Sequence, residues 1–196
     1  MERELTRAGR VHAKGMIATL AAAFIDEPAL SWVWPDREDR AARLKIFFKP
    51  IVTGTLANGL ALRSANDEAL LLWRVPGKIH PGFFETLVSL PAFMNALGPG
   101  RERAQALAKS LRAHEPEEPY WYLQFVGVAP AYQGKGWGGA AVCAGLEMTR
   151  AAGMPAYLET SKPANFEFYK HLGFQPREEW RVPDGGPPVW SLMWRG

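Results

Sequence analysis

Apolar positions change their spacing several times along the chain, and each change predicts a new element. In the amino half, apolar residues recur three and four positions apart, as in helices that bury one face. The predicted helices cover residues 16–25, 37–58, 83–97 and 101–114. Between the second and third helices, the apolar runs 60–63 and 69–75 flank the turn-forming residues 66–68, which predicts a β-hairpin.

The carboxyl half alternates short β-branched or aromatic runs with helical segments. The predicted strands cover 120–128, 156–160, 174–182 and 189–194, and the predicted helices end at 152 and cover 165–172. The strongly apolar run at 120–128 is typical of a central strand. Because no repeat and no linker-like stretch interrupts this order, we expect one mixed α/β domain over residues 1–196.

Composition excludes several classes of protein. Apolar residues make up 47% of the 196 residues, which suits a sizeable core, and the net charge of +3 gives no reason to expect a nucleic-acid partner. No apolar run is long enough to span a bilayer, and residues 1–14 lack the apolar centre of a signal peptide. We therefore expect a cytoplasmic protein without a membrane partner.

Cysteine and histidine usage gives no sign of a disulfide or a metal site. The single cysteine, Cys143, excludes an intrachain disulfide, and we expect it to pack within a helix. The four histidines are His12, His80, His114 and His171, and none of them has a metal-ligand spacing to another ligand residue. We expect no metal.

A glycine-rich stretch follows the apolar strand at 120–128 and opens the next helix. Glycines at 134, 136, 138 and 139 allow positive φ angles, so that several backbone N–H groups can turn towards one anion. The start of the helix adds unpaired N–H groups and the positive end of its dipole. With Lys135 beside it, the stretch predicts a site for a pyrophosphate.

Three other interpretations of this stretch compete. A mononucleotide P-loop requires Ser or Thr after the lysine, whereas Gly136 follows Lys135. A dinucleotide-binding fingerprint matches Gly134, Gly136 and Gly139, with Glu159 twenty residues further on, but only 37 residues remain for the rest of such a sheet. A glycine turn without a ligand also stays open.

Two ordered motifs resemble those of the GCN5-related N-acetyltransferase (GNAT) superfamily. Residues 126–139 read VGVAPAYQGKGWGG, which is similar to the superfamily's acetyl-CoA strand and its Q/R-x-x-G-x-G/A loop. Residues 158–161 read LETS and residues 165–174 read NFEFYKHLGF, which resemble its next strand, its tyrosine helix and a terminal Gly-Phe. Within the superfamily, the pattern is most similar to that of the puromycin N-acetyltransferases, extending weakly into residues 20–24.

The resemblance implies a fold, a donor and an acceptor. The fold is a central mixed, mostly antiparallel β-sheet flanked by helices, with strands that splay apart at the acetyl-CoA site. The donor is acetyl-CoA, and the acceptor is the amine of a small molecule. The residues that it assigns to acetyl-CoA are Val126, Gly127, Val128, Gln133, Gly134, Lys135, Gly136, Trp137, Gly138, Gly139 and Asn165.

Asn165 departs from the common pattern of the superfamily, in which an asparagine often stands seven residues before the tyrosine. This chain has Lys162 at that position, and Asn165 is only four residues before Tyr169. Asn165 therefore either contacts the pantetheine arm or caps its own helix.

The same motifs imply the catalytic groups. Tyr169 is the candidate general acid, because a phenol is protonated at neutral pH and can donate to a departing thiolate; the alternative is an aromatic core residue. Glu159, at the end of the preceding strand, is the candidate general base, or else a structural hydrogen-bond or salt-bridge partner.

The loop after the first helix contains Asp26, Glu27, Trp32 and Trp34. These residues either form a capped helix hairpin with a packed corner or face the acceptor amine, with aromatic rings for its body and carboxylates for its charge. A noncatalytic acyl-CoA-binding sensor is the alternative function, and the sequence leaves homodimerisation open.

Overall fold

A seven-stranded sheet forms the centre of the molecule, in the order β1-β2-β3-β4-β5-β7-β6. The computed structural model describes residues 3–196, except for the side chains of residues 83–89. The strands are β1 (Thr6–Arg7), β2 (Leu60–Arg63), β3 (Ala69–Arg74), β4 (Trp121–Val128), β5 (Ala156–Thr160), β6 (Gln175–Arg181) and β7 (Pro188–Trp194). The helices are α1 (Ala13–Ala23), α2 (Pro28–Val33), α3 (Arg37–Asn58), α4 (Phe83–Leu97), α5 (Arg101–Arg112), α6 (Trp137–Ala151) and α7 (Pro163–His171).

The strands β4 and β5 separate soon after they meet. They pair in parallel at Trp121 with Ala156 and at Tyr122 with Tyr157, whereas the other neighbouring strands of the sheet pair antiparallel. Beyond these two pairs, β4 runs on to Val128 beside β3 alone, and β5 pairs with β7. The sheet is therefore mixed, mostly antiparallel and open in its middle, which confirms the predicted fold class.

A bulge in β4 redirects its side chains just after the separation. Phe125 pairs with Leu72 and Leu123 pairs with Trp73, so Gln124 is the extra residue. Leu123 and Val126 consequently both pack on the α6 and α7 face of the sheet, while Phe125 packs on the opposite face. The bulge thus keeps Leu123 and Val126 on the same face although they are three residues apart.

Two hydrophobic cores cover the two faces. On one face, α6 and α7 bury residues such as Val142, Leu146 and Tyr169 against the strands. On the other face, α1, α2 and α3 bury residues such as Leu20 and Phe48. Helices α4 and α5 pack on α3 and α2, outside this second core.

The structure differs from the sequence predictions at three points. The predicted aromatic loop after Asp26 contains the helix α2, because Pro28 fits the first helical position and the Glu27 carboxylate accepts the Leu30 N–H at 2.9 Å. Helix α7 begins at Pro163 rather than at Asn165. Cys143 is exposed on the outer face of α6, so the prediction that it packs within the helix was wrong.

Candidate active site

The glycine stretch forms a tight turn into α6. Gly134 and Gly136 have φ angles of 71° and 79°, in the left-handed region that other residues rarely adopt. Gly136 is the amino-terminal cap of α6, so the N–H groups of Trp137, Gly138 and Gly139 lie in the first turn, where they have no partner within the helix. This geometry suits an anion.

Arg3 is a cation at this turn that the sequence did not indicate. A Cβ atom placed on Gly136 would lie 3.2 Å from the Arg3 guanidinium carbon. Lys135 instead donates its ammonium to the Ala131 carbonyl at 2.9 Å. Arg3 was missed because it is far from the motif along the chain, and only the folded structure brings it there.

The strand before the turn offers open backbone groups. The Ala129 N–H donates to Glu68 on the β3 side at 2.8 Å, so the alternation of a strand turns the peptide groups of Val126 and Val128 towards the gap beside β5. The Val128 carbonyl accepts from Gln133 Nε2 at 3.1 Å. A Cβ atom on Gly127 would face α1 and lie 2.9 Å from the Leu20 side chain, so this position has no room for a larger residue.

A cavity of about 440 Å³ passes through the gap between β4 and β5. Phe125 lines it on one face of the sheet, and Val126 lines it on the other. Glu159, Asn165 and Tyr169 also line this cavity, so the structure brings the two candidate catalytic side chains to one space. Groups that approach from opposite faces of the sheet could meet there.

Glu159 lies where β4 and β5 separate, two residues beyond Tyr157, the last residue of β5 that pairs with β4. Its Oε2 atom is buried and has no hydrogen-bond partner among the described residues. Burial raises the pKa of Glu159 to about 7, while hydrogen bonding from the Tyr122 and Tyr157 phenols acts in the opposite direction. Near neutral pH this carboxyl group can both accept and release a proton.

Tyr169 lies on α7, across the cavity opening from β4. Its ring packs against Phe168 and Phe174, with ring centroids 5.0 and 5.6 Å away. Burial raises the pKa of the phenol well above its ordinary value. Tyr169 is therefore both a core residue and a protonated hydroxyl group at the cavity.

Asn165 does not cap its helix. Lys162 occupies the cap position of α7, and the Asn165 N–H donates to the Lys162 carbonyl at 2.9 Å within the first turn. The capping interpretation was therefore wrong. Asn165 lines the cavity instead, and α7 starts two residues earlier than the sequence indicates.

The four candidate acceptor residues divide into two pairs. Glu27 and Trp34 line the cavity, but Asp26 and Trp32 are not among its lining residues. Asp26 is exposed and pairs with Arg37 at 3.1 Å, and the Trp32 carbonyl accepts from Arg103 at 2.9 Å. The loop therefore acts both as a capped corner and as part of the cavity wall.

Two further properties hold for the residues that the structure describes. No helix there is long and apolar enough to cross a membrane. Over the same residues, no group of three or more His, Cys, Asp or Glu side chains is arranged to hold a metal ion.

Known proteins similar to this chain agree with the fold and the motifs. Residues 102–174 match the Acetyltransferase (GNAT) family. An uncharacterized N-acetyltransferase of Schizosaccharomyces pombe is 29% identical over 181 residues, covering 85% of this chain and 73% of the relative.

Solved structures share the architecture over nearly the whole chain. A Corynebacterium glutamicum protein, described as histone acetyltransferase HPA2 and related acetyltransferase, has a TM-score of 0.67 at 21% identity, covering 96% of this chain and 93% of its own. Arylalkylamine N-acetyltransferase 2 of Aedes aegypti has a TM-score of 0.60 at 13% identity, covering 97% of each chain. At 21% and 13% identity, the similarity shows a shared fold and nothing further.

This chain therefore has the fold of the solved acetyltransferase structures, with an open mixed sheet and a glycine turn after β4. The match of residues 102–174 to the Acetyltransferase (GNAT) family, together with the N-acetyltransferase relative, supports an acetyltransferase. Members of this family in general use acetyl-CoA as the donor.

Proposed function

We propose that the chain transfers the acetyl group of acetyl-CoA to the amine of a small molecule by direct attack. The observation that carries this proposal is the joint position of Glu159 and Tyr169 on one cavity, at the point where β4 and β5 separate. The chemistry requires a proton acceptor for the amine and a proton donor for the departing sulfur, and these two side chains supply both.

The chain has groups that fit each part of acetyl-CoA. The left-handed glycines 134 and 136 and the first turn of α6 fit the pyrophosphate, with Arg3 as an added cation. The open peptide groups of Val126 and Val128 fit the amides of the pantetheine arm, as a strand edge binds an extended peptide. Bound acetyl-CoA supplies an acyl group activated as a thioester.

The two catalytic side chains have opposite tasks. Glu159 takes a proton from the incoming ammonium, since a carboxyl group with a pKa of about 7 is partly ionised at neutral pH. Tyr169 stays protonated and donates its hydroxyl proton towards the departing sulfur. The aromatic and aliphatic walls exclude water, which limits hydrolysis.

Both halves of the chain build this cavity, which supports a single acetyltransferase domain over residues 1–196. The residues that line it are spread along the chain from Phe24 to Val189. Neither half would enclose the site alone.

The test incubates the purified protein with acetyl-CoA and a panel of primary amines that includes puromycin. Free thiol and acetylated amine are measured, the second by mass spectrometry. A double variant, Glu159→Gln with Tyr169→Phe, should lose product, while the control Glu167→Gln, on an exposed residue of α7, should retain it. Acetyl-CoA binding without any acetylated amine would favour the sensor instead.

A further inference from the structure

We propose that the acceptor is a monoamine with an uncharged, apolar body, which packs between α2, α3, α4 and α5 while its amine meets Glu159. This inference rests on the proposed function and names the chemical class of its acceptor. It starts from the chemistry of the cavity walls on the face of the sheet opposite α7.

Four helices supply these walls, and their described lining side chains are apolar with one exception. Trp34, Phe47 and Phe93 form a connected aromatic wall, with ring centroids 5.6 and 5.9 Å apart in edge-on contacts. The exception is Arg112, which is exposed at the end of α5. Leu107 and Leu111 continue the apolar surface along α5.

The aromatic wall offers no polar group to an acceptor. The indole N–H of Trp34 donates to the Leu97 carbonyl at 3.2 Å, so its hydrogen-bonding capacity is used within the protein. A hydroxylated or charged body would leave its polar groups without partners here, which is costly in a buried space. An apolar body would instead gain by leaving water.

The carboxylates of the cavity differ in how far their oxygens are already hydrogen-bonded. Glu27 accepts the Leu30 N–H and contacts the Ser161 hydroxyl, and Glu115 pairs with His80 at 2.9 Å. Glu159 alone has a buried oxygen without a partner among the described residues. The buried Arg74 guanidinium, which donates to Gln124, adds positive charge to the wall.

The apolar walls and the unpartnered oxygen of Glu159 together discriminate between amines of equal size. A second ammonium at the far end of the acceptor would meet phenyl rings and leucines rather than a carboxylate. The distal wall therefore rejects diamines and polyamines, while the reacting end accepts any primary amine.

The experiment compares heptylamine with 1,6-diaminohexane, which have the same number of heavy atoms and differ in a terminal methyl or ammonium group. We expect kcat/KM for heptylamine to exceed that for the diamine by at least about 100-fold, because the site leaves a buried charge unpaired. A lysine amide and phenethylamine complete the panel, and phenethylamine should behave like heptylamine.

A charged variant tests whether this wall decides the preference. Phe93→Asp places a carboxylate in the aromatic wall, at the end of the cavity away from the reacting amine. It should reduce the ratio of kcat/KM for heptylamine to kcat/KM for the diamine at least tenfold. Leu90→Asp, on an exposed position of the same helix, should leave the preference unchanged. Acetyl-CoA affinity, measured by calorimetry, checks that both variants fold.

The outcomes separate this inference from the proposed function. Equal use of the two amines, or preference for the diamine or the lysine amide, overturns the apolar acceptor while the acetyltransferase activity stands. If acetyl-CoA binds and no amine in the panel is acetylated, both proposals fail. An unchanged preference in Phe93→Asp overturns the role of the aromatic wall.

Discussion

Glu159 takes its reactivity from its position at the point where two strands separate. An exposed glutamate is ionised at neutral pH, whereas burial raises the pKa of Glu159 to about 7. If Glu159 is the general base, kcat/KM should rise as the pH increases through 7, because the carboxyl group becomes ionised over this range. Glu159→Gln should lack this rise and react about 100-fold more slowly, measured with one amine from pH 5.5 to 9.

The control for this pH profile is Glu167→Gln, which removes an exposed carboxylate from α7. It should keep the wild-type profile. A Glu159→Gln profile that superimposes on the wild type would assign the pH dependence to the amine substrate alone.

Tyr169 packs its ring in the core and carries the hydroxyl group that we propose as the general acid, and removing one oxygen atom separates the two contributions. Tyr169→Phe keeps the ring that packs on Phe174, so we expect the fold and the acetyl-CoA affinity to stay unchanged. Turnover should fall by about 10²-fold to 10⁴-fold if the hydroxyl is the general acid. Steady-state kinetics and calorimetry measure the two quantities, and undiminished turnover would leave Tyr169 only its structural role.

Gly136 has two reasons to be glycine. Its φ angle of 79° strains any other residue, and a side chain there would meet Arg3 and occupy the turn. Gly136→Asp should therefore weaken acetyl-CoA binding at least tenfold, because it also adds negative charge. Gly77→Asp is the matched control, since Gly77 has a φ of 77° and open space around it. Equal affinity of both variants would argue against phosphate binding at this turn.

Individual residues could be predicted where a motif holds them close together in the chain. Gly134, Gly136 and Tyr169 were placed correctly on the turn and helix that the sequence indicates. Arg3 and Tyr122 could not be found in this way, since neither belongs to a motif and their proximity to the site depends on tertiary packing. The sequence suggested that Asn165 starts or caps α7. Neither is correct, because Pro163 begins that helix.

At the scale of elements, periodicity predicted most of the sheet and the long helices. The hairpin of β2 and β3 was predicted and is confirmed, and the strands β6 and β7 lie where the sequence predicted strands. Helix α2 was missed because its six residues are too few to show a period. The separation of β4 and β5 could not be derived from residue patterns and came from the family resemblance.

The turn between β2 and β3 depends on one buried carboxylate. Glu68 accepts the Ser64 hydroxyl at 2.6 Å and the Asn66 N–H at 3.0 Å, and these hydrogen bonds lower its pKa to about 2. Because the folded pKa lies below the unfolded value, Glu68 stabilises the fold at neutral pH, and this contribution is lost as the pH falls from about 4.5 towards 2.

Without the Glu68 carboxylate, the free energy of unfolding should therefore decrease less as the pH falls. Glu68→Gln should be less stable than the wild type at pH 6, and the difference should shrink by pH 3. Urea denaturation at both pH values measures it, and Glu4→Gln, on an exposed residue, should show no such convergence. A constant difference would assign the loss to packing rather than to charge.

At the scale of the whole molecule, the cavity is lined from both faces of the sheet, and in the proposed function the two substrates reach it from opposite sides. Helices α6 and α7 cover the face with the glycine turn, and α2 to α5 enclose the apolar end of the cavity. The gap between β4 and β5 joins the two sides, and Glu159 lies at its edge. An open sheet is thus the feature that lets a donor and an acceptor meet without sharing a surface.

A single continuous cavity predicts that the two substrates can be joined. A bisubstrate compound, with heptylamine linked through an acetyl spacer to the sulfur of coenzyme A, should bind at least about 100-fold more tightly than acetyl-CoA, since the second contact becomes intramolecular. Calorimetry measures both affinities, with S-methyl-coenzyme A as the comparison that lacks the acceptor. Phe93→Asp should reduce the advantage of the bisubstrate, and Leu90→Asp should not. If the linked compound binds no better than S-methyl-coenzyme A, the acceptor lies outside this cavity, because a body that fills the apolar end must contribute its own binding energy.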